Sequence, residues 1–378
     1  MTEKETIILN RAEKVLRANC YPPNCYKWGS YRMISPSRGY FLGIWNWDSA
    51  FHAIGMIDFD IEIAKEQIIG FLQFQKEDGL LPDVIWENGG IVDSFSKPPV
   101  MAYAAYRVFE SCHDLRFLNE VYPKLVLNEK FWNEKRFCRG LFHYDADRTD
   151  GCSDAQYNQR VRFETGWDNS PRWDTEPQNL WPVDLNCFMV MTYRSLSKMA
   201  EALDLDAEEW KEKETELTAN IEKYLWNEKL RAYTDFDFVK HTFSDVLSPA
   251  SFMPLFVQIA SKERAEDMNR IAQAHFLPGM PTVAYDNPEY SADYWRGPCW
   301  LNVAYFATMG LKNYGFTDTV RTVKSTIIEW LYHDGDTFHE NYNSKTGAGQ
   351  NKPNFSWSCV FAREFIKNIS TSIQAIDA

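Results

Sequence analysis

The chain is 378 residues long with a net charge of −13, which argues against a nucleic-acid backbone or an anionic membrane surface as partner. Its 14 Trp, 19 Tyr and 25 Phe suggest flat stacking surfaces as well as a core, although a large core can absorb them. No apolar run approaches a membrane span, no signal peptide is visible, and eight scattered cysteines without a CxxC pair read as free thiols in a reducing cytoplasm.

In chain order, residues 6–19 predict a first helix, closed by Cys20-Tyr21-Pro22-Pro23. A long aromatic loop follows at 21–45. Asp48 is then placed to cap a helix carrying Phe51, Ile54 and Ile57. Residues 61–75 form another helix, followed by an extended Leu80-Leu81-Pro82-Asp83-Val84. Pro98-Pro99 opens a helix at 99–112, because a first-turn proline loses no N–H bond, and 114–136 gives a longer one. The segment 139–180 is the longest piece without a helical pattern, and loops of that length are more often functional than idle. Helices resume at 181–203, at 206–226 behind a capping-box-like Asp206 and Glu209, and at 249–260. They continue at 262–275 behind Ser261, 298–312, 318–333 behind Thr317, and 355–367.

Near-uniformly apolar helices alternate here with one-faced ones, roughly twelve in all. The apolar ones must be buried on most sides, and the amphipathic ones cover them from outside. Six inner and six outer helices in a closed ring satisfy this pattern, as one all-α domain over residues 1–378. Three segments repeat weakly: Phe131-Trp132-Asn133-Glu134-Lys135, Leu225-Trp226-Asn227-Glu228-Lys229 and Trp330-Leu331-Tyr332 each end a helix before a short extended piece. Their spacing varies, which disfavours an open solenoid.

Chemistry concentrates at the junctions. Residues 163–174 carry Glu164, Asp168 and Asp174 with Trp167 and Trp173, around a turn-forming Asn169-Ser170-Pro171. The centre of this stretch is too broken for a helix interior and too polar for a central strand. It reads as a loop presenting Asp168 to a cavity with tryptophan walls, or as a turn that Asp168 merely caps. Three other junctions also join aromatic rings to charge: 45–48, 294–300 and 338–342. With all four at one end of the ring, they form a pocket with acidic points. Two carboxylates across such a pocket suit glycoside hydrolysis. One, protonated by desolvation, donates to the leaving oxygen; the other, ionised, activates water or attacks the anomeric carbon. There is no phosphate-binding glycine loop, no dinucleotide fingerprint and no metal-ligand histidine spacing, so neither metal nor organic cofactor is expected.

Trp45-x-Trp47-Asp48-Ser49, Gly166-Trp167-Asp168-Asn169-Ser170-Pro171-Arg172-Trp173-Asp174, Trp295-Arg296-Gly297-Pro298 and Glu340-x-Tyr342 together resemble glycoside hydrolase family 63, a relative of the trehalases. The resemblance runs in the family's order from about residue 40 to 360. It implies an (α/α)6 barrel, inversion at the anomeric centre, and small α-glucosides or α-mannosides as substrates. It implies Asp168 as general acid and Glu340 as general base. Trp45, Trp47, Asp48 and Trp295 match residues holding the first sugar ring; Phe41, Lys97, Trp167 and Gly297 are further candidate substrate contacts. The chain has no room for the β-sandwich domain of larger members, and looks more like short bacterial ones, including hydrolases of mannosylglycerate and glucosylglycerate. Lys97 stands where trehalases carry Gln, which argues against trehalase proper.

Other charged and aromatic residues have structural readings. Arg172 with Asp174 reads as an ion pair bracing the loop, Arg296 as a second brace, Glu164 as support, and Trp300 and Trp357 as core. Arg148, Arg160 and Arg162 cluster in the 139–180 loop. If that loop folds over the pocket, one of them could hold an acidic aglycone such as glycerate, with neutral α-gluco-oligosaccharides as equal candidates. A sugar epimerase on the same barrel and a non-catalytic carbohydrate-binding protein are the alternatives.

Overall fold

The computed structural model describes residues 1–369. Its helices are α1 (Glu3–Ala18), α2 (Asn46–Met56), α3 (Ile61–Leu72), α4 (Met101–Cys112), α5 (Leu115–Lys135), α6 (Asp154–Thr165) and α7 (Val183–Ala202). They continue with α8 (Glu208–Tyr224), α9 (Met253–Phe256), α10 (Lys262–Ile271), α11 (Leu301–Asn313), α12 (Thr317–His333) and α13 (Ser356–Asn368).

Side-chain chemistry sorts these helices into two layers. Every residue of α2 is buried, and so is α13 from Ser356 to Ile366. By contrast, α8 buries only Trp210, Leu217 and Ile221 and faces water elsewhere. The buried helices pack in a circuit: α2 on α4, α4 on α7, α7 on α9, α9 on α11, α11 on α13, and α13 back on α2. Around them, α3 covers α2 and α4, α5 covers α4 and α7, α8 covers α7, α12 covers α11, and α1 lies on α12 and α13. The buried apolar residues form one cluster. Strand content is slight. The largest piece at the site is the antiparallel sheet of β1 (Gly43–Trp45), β2 (Val84–Trp86) and β3 (Ile91–Val92), with Gly43 opposite Trp86 and Trp45 opposite Val84. Each of the three weak sequence repeats leads into a two-stranded hairpin after a covering helix: 137–142 after α5, 226–233 after α8, and 341–350 after α12. Among the described residues no helix is long and apolar enough to cross a membrane.

Several expectations are corrected. The 139–180 segment is not helix-free, because α6 lies within it. That helix escapes a periodicity reading since it is polar on most sides, burying only Tyr157, Val161, Glu164 and Thr165. Its start is nonetheless well specified: Ser153 and Gln156 form a capping box. Asp48 does not cap α2, since Trp45 holds the cap position and Asp48 sits inside the first turn. Likewise Ala207, not Asp206, precedes α8, and Phe316 rather than Thr317 caps α12. The expected 249–260 helix is a 3-10 turn at Pro249–Phe252 followed by the short α9, in which Pro254 occupies the first turn. At 262–275 Ser261 does cap α10, accepting from the Arg264 amide, but the helix relaxes into a π turn at Ala272–Phe276.

Candidate active site

Gly166 delivers Asp168 to its place. It ends α6 in the left-handed region at φ 74°, and a Cβ there would stand 2.6 Å from the Trp47 ring. The following turn closes without the Asp168 carboxylate: the Ser170 amide donates to the Trp167 carbonyl (2.8 Å), and Ser170 Oγ caps the 3-10 turn Pro171–Trp173. Asp168 therefore does not cap the turn, and its side chain is left for the cavity. Asn169 locks the loop to the next junction, accepting from the Trp295 amide (2.9 Å) and donating to Asp293 (2.8 Å).

The expected bracing pairs are re-partnered. Arg172 does not pair with Asp174. It is fully buried and grips Asp184 (2.7 Å) and Asp235 (2.8 Å), while its guanidinium lies over Trp167 and Trp173. Residue spacing could not show this, because Asp235 lies 63 positions further on, just before the strand at Phe236–Asp237. Asp174 instead pairs with Arg296 (2.9 Å), which also holds Glu289 (2.6 Å). Glu164 is a buried support: it accepts from Arg136, the Ser96 amide (3.0 Å) and the Asp145 amide (2.7 Å).

Residues at the N-terminal ends of α2, α11 and α13, with Lys97 ahead of α4, gather around one cavity of about 450 Å³. Phe41, Trp45, Trp47, Asp48, Lys97, Asp168, Trp295 and Glu340 all line it. Trp167 and Gly297 do not. Trp167 lies behind Trp295, ring centroids 5.0 Å apart, and Gly297 is packed so closely that a Cβ would meet Ser291 O at 2.1 Å. Trp300 and Trp357, expected as core alone, are both buried and part of the wall. Trp300 stacks on Trp295 at 3.8 Å, and Trp357 meets Trp47 edge-on at 5.1 Å. Tyr294, Pro36 and Phe355 complete the lining and were not singled out from sequence. Tyr294 had a signal in its place beside Trp295; Pro36 and Phe355 had none. Arg148, Arg160 and Arg162 are not among the lining residues: Arg148 pairs with Asp154, and Arg160 donates to Asp147 O.

Burial governs the acids. Desolvation pushes Asp48 up to about 8 against the pull of Lys97, so it is protonated at neutral pH. Desolvation likewise lifts Asp83 to about 6, although Lys97 Nζ lies 3.3 Å from its Oδ1. Asp168 is also raised by burial, again tempered by Lys97, and accepts no side-chain hydrogen bond among the described residues. Glu340 rises to about 7 through burial. The Tyr294 hydroxyl (2.8 Å) and the Lys352 amide (3.4 Å) donate to it and favour its charged form. Lys97 is held by the Phe163 carbonyl and Asp83, and these acids keep it charged despite its burial. Among the described residues no group of His, Cys, Asp and Glu is placed to hold a metal ion.

Known proteins resemble this chain in sequence and fold. The model of the mannosylglycerate hydrolase MGH1-like glycoside hydrolase domain matches residues 42–358. A mannosylglycerate hydrolase of Rubrobacter radiotolerans is 21% identical, over 85% of this chain and 90% of that protein. Among solved structures, a family 63 mannosylglycerate hydrolase from Thermus thermophilus, in complex with Tris and D-glycerate, superposes with TM-score 0.81 at 22% identity, over 94% of this chain and 99% of that one. The neutral trehalase of Saccharomyces cerevisiae gives TM-score 0.74 at 16% identity, over 95% and 80%. The chain belongs to the mannosylglycerate hydrolase MGH1-like glycoside hydrolases, and its fold is that of the family 63 and trehalase structures. It is thus a glycosidase, which sets aside the epimerase and non-catalytic binding readings.

Proposed function

We propose that the chain is an inverting hydrolase of small α-glucosides or α-mannosides, built as a single (α/α)6 barrel over residues 1–378. The closed packing circuit of six buried helices supports the barrel. The observation that carries the reaction is the unequal support of two carboxylates in one tryptophan-lined cavity. Asp168 is desolvated and, among the described residues, without a side-chain donor, which favours its protonated form. Glu340 receives the Tyr294 hydroxyl and the Lys352 amide, which favour its ionised form. Burial raises both carboxyls, and it is this difference in hydrogen bonding that assigns the general acid and the general base in our reading.

Asp168 gives its proton to the glycosidic oxygen as that bond breaks. Glu340 takes a proton from the water that attacks the anomeric carbon from the other face. The Trp47, Trp295 and Trp357 rings offer apolar faces to the sugar's C–H groups. Protonated Asp48 donates to a hydroxyl of the ring in the deepest position. The eight unpaired cysteines suit a reducing compartment, in keeping with work in the cytoplasm. The relatives' names make α-glycosides of glycerate and α-linked disaccharides the first substrates to try.

The test is proton NMR of fresh reactions with both substrate classes. We expect the β-anomer to appear first. Asp168→Asn and Glu340→Gln each lower kcat by roughly 10²–10⁴-fold while KM changes little. An initial α-anomer overturns inversion, and full activity in either variant overturns that residue's role.

A further inference from the structure

The cavity continues into a feature that the reaction does not use. Its deep end is sealed by Trp47, Trp295, Trp300 and Trp357, each at most 3% exposed. Toward solvent the rings open out. Phe41 and Trp45 are half-buried, with centroids 5.4 Å apart, and Trp45 meets Trp86 edge-on at 5.1 Å. Beyond them Tyr40, Leu42 and Trp86 are 56%, 49% and 36% exposed. These side chains stand on a braced edge. Gly43 pairs with Trp86 across the β1–β2 sheet, and the Glu87 amide donates to the Leu42 carbonyl at 2.9 Å. Through its contact with Trp45, Trp86 extends the cavity's apolar lining toward solvent, where a ligand's own apolar face lies.

We infer that Tyr40 and Trp86 form a stacking platform for the leaving group, and that it selects a ring-bearing aglycone, a second pyranose, over an open-chain one. This rests on the reading of the cavity as a hydrolase pocket. In a pocket closed at its deep end, the released sugar occupies the bottom and the leaving group must point to the mouth. The platform lies on that path. Its faces match the C–H face of a pyranose, and glycerate has no such face. The cation in the cavity wall, Lys97, is held by Asp83 and the Phe163 carbonyl rather than offered to a carboxylate. The nearest competing feature is exposed Lys352, which lies over the Tyr40 ring at 5.2 Å and could pair with an acidic aglycone instead.

Kinetics on an α-linked disaccharide and on an α-glycosylglycerate separate the two. Trp86→Ala is expected to raise KM for the disaccharide about tenfold more than for the glycosylglycerate, with kcat nearly constant, and Tyr40→Ala to act in the same direction. Equal effects on both substrates overturn the platform. So does a glycosylglycerate preference that Lys352→Ala abolishes. If the wild type cleaves neither substrate, the proposed reaction fails but the platform is still tested by titrating the disaccharide into Asp168→Asn by tryptophan fluorescence. Adding Trp86→Ala to that variant weakens binding about tenfold if the platform exists. Unchanged affinity removes it.

Discussion

At the scale of single residues, Tyr294 decides how the base behaves. Burial lifts the Glu340 carboxyl to about 7, and the Tyr294 hydroxyl at 2.8 Å holds it back from rising further. In the proposed mechanism Glu340 must be ionised to act as base, so activity is expected to fall as pH drops through its pKa. Tyr294→Phe removes a donor that favours the carboxylate, so the pKa climbs and the acid limb of kcat/KM moves up by roughly one pH unit. An alkaline limb assigned to Asp168, the proposed acid, is expected to stay in place, because Tyr294 gives Asp168 no hydrogen bond among the described residues. A pH–rate profile of the variant checks this, and an acid limb that stays still or moves downward contradicts the role given to Tyr294.

Among the elements, the junction of α6 with the Asp168 loop is the most demanding. Gly166 meets two requirements at once: a left-handed backbone at φ 74° and room for the Trp47 ring, which a Cβ would approach to 2.6 Å. Gly166→Ala is therefore expected to cost roughly 1–3 kcal/mol, and to lower kcat because relief of the clash shifts Trp47 or Asp168. Chemical denaturation and steady-state kinetics measure the two effects. A variant of unchanged stability and rate shows that the loop tolerates the extra carbon. The element was only half legible beforehand. Asn169-Ser170-Pro171 announced the turn, but the helix start at Ser153 and Gln156 was not read from the sequence. The polar surface of α6 concealed the helix between them, because it rests on the protein through one narrow edge and carries no apolar stripe.

Across the whole molecule, Arg172 ties together pieces far apart in the chain. It joins the Pro171–Trp173 turn to Asp184 in the first turn of α7 and to Asp235 near the 226–233 hairpin. All three charges are buried, and the two carboxylates share one guanidinium. Arg172→Met leaves both carboxylates without a cation and is expected to cost about 3–5 kcal/mol. Arg172→Lys recovers only part, because an ammonium cannot make the forked contacts. Thermal melts of the two variants give the ranking. If Arg172→Met melts with the wild type, the network is not holding the loop. The same packing explains why tryptophans assigned to the core also face the cavity. Trp300 and Trp357 stand where buried helices begin, so each ring has one face on its neighbours and one on the open end.

By itself the sequence determined the local and compositional facts. Alternation of apolar and one-faced helices and turn-forming junctions follow from residue type and short spacing, while the grouping of Trp45, Asp48, Asp168, Trp295 and Glu340 came from the resemblance to a known family. The first two are properties of a segment and its solvent, so they can be read without knowing what lies opposite. Only the tertiary structure decided which junction residues reach the cavity, that Arg172 pairs with Asp184 and Asp235, and that Asp174 pairs with Arg296. Only it showed that the Tyr294 hydroxyl and the Lys352 amide serve Glu340. These contacts join residues tens to hundreds of positions apart. Which partner a buried charge finds, and how far burial lifts a carboxyl, depends on the packing of several helices at once.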